Sequence, residues 1–422
     1  MPAPSSPDLK TVPPPASVAV DDIHYRQLFP WLRMFDLFWI AVDLQKLITA
    51  AVAVVLLWGG NWCIRQLPFA TEEAISPQPA PFTFAASRES TAGPWTQADD
   101  FRAPLNDRDW RSWSRVFTPL DAVVLPAQML FRHGTTWPQL AMAWSYLLWA
   151  LVVWSIFGGA ITRIAAVQIG SDHNTTVWEA LRFSGTRFLS YFSAPLIPLA
   201  GIGLLWGLYL LGGLVGRIPH AGSWIVGAFW IVALLFGFLM GLLLVGLAAG
   251  WPLMLATISV EGSDAADGLT RSYGYVFNRP IYFTALVLFT AISGAVATFF
   301  VARLADFAGY LALLGVTSSM GSNAIAENPF TLFWMGMWAT IVVAFAQSFF
   351  WSAATMIYYL LRRSVDANPF SEVYLEEDRR DDLLPWIAED ESADESPAAA
   401  NGIPTTPGPA ADTPDPNMDA AT

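Results

Sequence analysis

The sequence predicts an all-α integral membrane protein with six transmembrane helices, interfacial amphipathic helices and a parallel internal repeat. Three observations carry this. Of 422 residues, 54% are hydrophobic and 14% charged, whereas a soluble domain has roughly 25% charged residues. Charge vanishes over six windows long enough to cross a hydrocarbon layer, which takes about 20 helical residues. Two short polar segments beginning Gly-Ser-Asp, at 170–190 and 261–279, each carry arginines at helical spacing and stand between two apolar windows.

The other compositional signals agree. Twenty tryptophans suit a chain with two membrane interfaces, where indole rings favour the headgroup level. The net charge of −13 belongs to the tail, because 365–422 hold 15 acids and 2 arginines and the remainder is neutral. Cys63 is the single cysteine, so no intrachain disulfide forms. Its apolar setting predicts a small buried hydrophobe. The opening MPAPSSPDLK lacks the apolar core of a signal peptide.

Residues 1–22, rich in Pro, Ala and Ser, predict a disordered start. Along 23–46, Arg33, Asp36, Asp43 and Lys46 share one helical face, opposite Leu32, Phe35, Phe38, Ile40 and Leu44. This predicts an interfacial amphipathic helix. The first span is 47–64. An extracytoplasmic loop follows at 65–139, where Trp110 and Trp113 among arginines predict a headgroup anchor. A second amphipathic segment, 120–131, is expected to lie flat. A five-span domain fills 140–363, with windows at 140–162, 191–216, 224–260, 280–302 and 331–361. Between the last two, 303–330 reads as a re-entrant or surface helix. Residues 364–422 form an acidic, disordered cytoplasmic tail. All spans must be helices, since unpaired backbone is not tolerated in lipid.

Basic residues at span ends set orientation. Both termini are placed in the cytoplasm, which puts Lys46, Arg163, Arg182, Arg187, Arg271, Arg279, Arg362 and Arg363 on the inner side.

The repeat pairs 140–216 with 224–302. Ala180-Leu181 aligns with Gly268-Leu269, and Tyr191-Phe192-Ser193-Ala194 with Tyr282-Phe283-Thr284-Ala285. Both units enter from outside, so an axis along the membrane normal relates them. In the first inner helix Thr176 and Glu179 make a capping box. In the second Asp264 caps, Asp267 pairs with Arg271, and Ala266, Leu269, Tyr273 and Val276 form the apolar stripe. Arg163, Arg182, Arg187, Arg271 and Arg279 are the candidate contacts for lipid headgroups or a partner.

The stretches GGAITRIAAVQIG, VWEALRF and EGSDAADGLTRSYGYVFNRP resemble uncharacterised bacterial multi-pass membrane proteins. More distantly, WEALRFSGTRFLSYF resembles the membrane domain attached to some glycerophosphodiester phosphodiesterases. The resemblance implies membrane residence. It carries over no catalytic residue, because the phosphodiesterase barrel with its metal ligands is missing.

His24, His133, His173 and His220 lack ligand spacing, and no phosphate loop or nucleophile elbow occurs. Glycine pairs four apart, 203/207, 212/216, 237/241 and 246/250, predict helix contacts. Gly237, Gly241, Gly246 and Gly250 make the fourth span the expected most closely packed helix. The expectation is a non-catalytic inner-membrane scaffold or accessory subunit, with the lipid bilayer and membrane proteins as partners and no cofactor or nucleic acid. A permease with its path between the two repeats, near Pro195, Pro198 and Pro252, is the alternative.

Overall fold

The computed structural model describes residues 30–68, 118–130, 134–171, 175–320 and 328–374. The expectations for the N-terminus, the Trp110/Trp113 anchor, Asp172, His173 and the acidic tail therefore lie outside the described residues. All but Tyr374 of these belong to one compact unit, Met1–Val373.

Every element among the described residues is helical. A 3-10 turn, Pro30–Asp36, leads into α1, Leu37–Ala41. The spans are α2 (Leu44–Arg65), α4 (Trp137–Gly170), α6 (Phe188–Val215), α8 (Trp230–Glu261), α10 (Pro280–Met320) and α11 (Pro329–Asp366). Between them lie α3 (Thr118–Leu130), α5 (Val177–Thr186), α7 (Gly222–Ala228) and α9 (Ala265–Asn278). Among the described residues, six helices are thus long and apolar enough to cross a membrane.

The core sits at one end of the bundle, where α4, α8 and α11 pack on one another. Residues 158–167, 250–260 and 344–362 are buried on every side, as expected of helices apolar all round. Trp351 lies 5.4 Å from both Trp154 and Trp251. Gly158 admits this tryptophan, since a β-carbon there would stand 3.0 Å from its ring. The helix widens at that point into a π-turn, Trp154–Gly158, a form that marks strain or function in a helix.

Several boundaries differ from expectation. The 23–46 segment is not one helix. Asp43 leaves helical geometry and accepts from the Gln45 N–H at 3.0 Å, so α2 restarts there. Met34, Leu37 and Ala41 are buried, and α1 packs on α11. Lys46, expected at the inner surface, is fully buried and donates to Gln168 Oε1 at 2.6 Å. Cys63 is exposed, not buried. The supposed separate helix after 303 is the continuation of α10, 41 residues in all. Arg303 pairs with Asp306 one turn on, so its charge does not end the helix. In α3 the buried residues Pro119, Ala122, Val123, Pro126 and Met129 share one face, which packs on the bundle. That face is therefore spent on protein.

The fourth span is not the most closely packed. Only 17% of the apolar window of α8 is buried, the least of the six. A β-carbon at Gly246 would overlap the Tyr273 ring, and one at Gly237 would come 3.0 Å from the Tyr209 hydroxyl. At Gly250 the contact would be ordinary, and Gly241 faces open space. Two of the four predicted packing glycines therefore admit an aromatic neighbour.

Candidate functional site

The polar end of the bundle is built where α4, α8 and α11 finish and α5 and α9 begin. Gly262 ends α8 in the left-handed region at φ +62°, a conformation that glycine takes without steric cost. Two residues later Asp264 caps α9 by accepting from the Asp267 N–H at 2.9 Å. Thr176 does the same for α5, accepting from the Glu179 N–H at 3.3 Å, while Glu179 accepts from the Thr176 N–H at 3.0 Å. The predicted capping box is present.

One polar cluster ties α4, α5, α6 and α8 together. Ser259 Oγ lies 2.6 Å from Thr162 Oγ1 and 2.8 Å from the Tyr191 hydroxyl. The Arg163 guanidinium donates to the Ser259 carbonyl at 2.8 Å and sits 4.2 Å over the Phe183 ring. Arg187 lies 5.0 Å from the same ring and donates to the Gly262 carbonyl.

A second cluster ties α8, α9 and α11. Glu261 is its centre. Its Oε1 accepts from the Tyr358 hydroxyl at 2.5 Å and the Arg271 guanidinium at 2.9 Å. Arg362 lies 3.2 Å from the same oxygen, and Arg271 lies 2.7 Å from Oε2. Arg271 also donates to Asp267 at 3.0 Å, the predicted pair. Arg362 continues to Glu372, with bonds of 2.8 and 3.0 Å. Tyr275 donates to Asp366.

These charges alter one another. Burial alone would lower the pKa of Arg271, but the hydrogen bond to Asp267 and the charge of Glu261 outweigh it, and the net shift is upward. Burial, then the hydrogen bond to Asp366, raises Tyr275. Burial pushes Tyr273 up to about 12, and its hydroxyl donates to the Leu243 carbonyl at 2.8 Å. A raised tyrosine value means the neutral hydroxyl stabilises the fold below its unfolded pKa of about 10. That contribution is lost as pH rises through about 12. Tyr273→Phe is expected to flatten this alkaline loss and to cost about 1 kcal/mol at neutral pH. Thermal unfolding measured on both sides of that window checks it.

No family model, curated protein or solved structure matches the chain. The geometry alone therefore assigns the arginines. Of the five candidate headgroup contacts, Arg182 and Arg279 are exposed. Arg163 is 5% exposed and faces protein, which corrects its placement at the lipid surface. Arg187 and Arg271 are half-buried and spent on Gly262, Glu261 and Asp267. Composition cannot separate these cases, since guanidinium charge reads alike wherever it lies.

Glu261, Tyr358 and Arg362 are not legible in the sequence as one unit. They come from two helices about a hundred residues apart, with no local motif. Of the predicted apolar stripe of α9, Val276 is buried, Leu269 and Tyr273 are half-buried and Ala266 is exposed, while Gly268, Ser272 and Tyr275 are buried as well.

Away from the polar end, α3, α6 and α8 line an open crevice of about 680 Å³. Val123 and Ala127 of α3 face Pro195 of α6 and Leu247 and Trp251 of α8 across it.

Proposed function

We propose that the chain is a non-catalytic scaffold or accessory subunit of the inner membrane, with both termini in the cytoplasm. It presents apolar helix faces to lipid and to other membrane proteins. The observation that carries this is the surface away from the core. Leu204, Leu211, Ile231, Leu235, Phe238 and Trp334 are among many large apolar side chains exposed there. On α6, Gly203, Gly207 and Gly212 face open space, and such glycines let a neighbouring backbone approach closely. The polar end supports the same reading, because its charges bind the helices to one another.

The internal duplication belongs to this proposal. The caps Thr176 and Asp264 lie 88 residues apart, the offset of the Ala180-Leu181 match. Arg187 and Arg279 each occupy the junction between a short polar helix and a span. The Gly-Ser-Asp openings differ. Gly170 is the last residue of α4, whereas Gly262 lies beyond α8.

The test is purification of the full chain in mild detergent with identification of co-purifying membrane proteins. A partner is expected in near-equal amount, and Gly207→Leu is expected to lose it while the chain stays folded. A partner retained by Gly207→Leu, or no partner at all, contradicts the reading.

The permease reading has one observation in its favour. Gln347 is fully buried in α11, and both amide atoms lack hydrogen-bond partners among the described residues. It stands 15 residues before Arg362, about 22 Å along the helix at ~1.5 Å per residue, a depth where transported solutes would meet it. In a scaffold, Gln347→Leu removes an unsatisfied amide and stabilises the fold by about 1–3 kcal/mol.

A further inference from the structure

We propose that the crevice between α3, α6 and α8 is a binding site for one acyl chain of a membrane phospholipid. The inference rests on the membrane reading above and goes beyond general lipid contact. The walls are apolar: Val123, Val124 and Ala127 on one side, Pro195, Leu247 and Trp251 on the other. Gln128 is the one hydrophilic residue at the rim.

Physical exclusion identifies the occupant. Filled with water, the crevice would hold roughly 20 molecules at ~30 Å³ each, against walls that offer them few partners. A non-helical peptide segment would bring backbone N–H and C=O groups into apolar surroundings without hydrogen bonds. Left empty, the lining forfeits its dispersion contacts. A hydrocarbon chain meets none of these penalties, and its source lies along the same helices, where α6 and α8 expose Leu204 and Leu235.

Depth supports a lipid whose headgroup stays at the surface. Leu247 and Trp251 precede Glu261 by 14 and 10 residues, which puts them about 15–21 Å from the polar end at ~1.5 Å per residue. Trp137 begins α4 just after α3 and is 85% exposed, and exposed tryptophan favours the headgroup level. Gln128 lies toward that end of α3, where its amide can donate to an acyl ester carbonyl. The helix α3 thus acts as a clamp that holds the chain against α6 and α8.

The experiment reconstitutes the full chain into vesicles of phosphatidylcholine carrying a diazirine on one acyl chain, then maps photo-adducts by peptide. Adducts are expected to concentrate on 118–130 and 244–251. Each buried methylene is worth roughly fourfold in affinity. Ala248→Trp, which displaces at least two, is expected to lower adducts there by at least about tenfold. Adducts on 231–239, at the lipid-exposed surface of α8, stay unchanged in the same sample. Val124→Trp fills the space from α3, and the wild-type map alone decides if either variant misfolds. Adducts spread evenly over exposed surfaces would overturn the proposal. So would unchanged labelling in the folded variants, or labelling by a diazirine fatty acid but not by the phospholipid. Any of these, with partner loss by Gly207→Leu intact, would remove the crevice site and leave the scaffold reading standing.

Discussion

Glu261→Leu is expected to destabilise the protein by about 3–5 kcal/mol, the usual cost of removing one partner from a buried ion pair. The Glu261 side chain is 11% exposed and that of Arg362 is 8% exposed, so little water reaches either. Loss of the carboxylate leaves the Arg362 charge facing Arg271 with only Glu372 at hand. It also strips the Tyr358 hydroxyl of its acceptor. Glu261→Gln keeps an acceptor for Tyr358 but not the charge, and an intermediate loss is expected. Thermal unfolding in one detergent, followed by loss of the monodisperse peak, measures both. If Glu261→Leu unfolds with the wild type, the cluster does not hold the polar end together.

The second large effect separates two glycines that look alike in sequence. Gly246→Leu is expected to cost about 3 kcal/mol or more, at the upper end for overpacking, whereas Gly241→Leu is expected to be near neutral. The reason is Tyr273. Its ring occupies the space a side chain at 246 would need, and its hydroxyl is fixed on the Leu243 carbonyl. A leucine there must push the ring aside, break that bond and lift α9 from α8. At 241 nothing stands within 4 Å of the position a β-carbon would take. Yields of folded protein and unfolding midpoints for the two variants decide the matter. Equal behaviour would show that Tyr273 does not lock α9 to α8.

The six spans were legible because hydrocarbon excludes charge. A run without Asp, Glu, Lys or Arg is a direct readout of that solvent, and each predicted window falls on an observed long helix, save that 224–260 starts in the short helix α7 and α8 begins only at Trp230. Span ends were less legible. Arg163, Arg303 and Arg362 lie within helices because a partner beside each one makes the charge tolerable. Lys46 was misplaced for the same reason, its ammonium meeting Gln168 from a helix more than a hundred residues away. The caps at Thr176 and Asp264 were readable because a cap is a local motif. The Glu261 cluster was not, since its members meet only after α8, α9 and α11 have packed. The spacing Gly-x-x-x-Gly names a helix face but not its neighbour. This is why Gly241 and Gly246 could not be told apart.

Six helices are expected to cross the bilayer with the polar end of the bundle on the cytoplasmic side. Reporter fusions after residues 100 and 374 test it most directly. Opposite sides are expected, with 100 outside and 374 in the cytoplasm. Both reporters on one side of the membrane would contradict it.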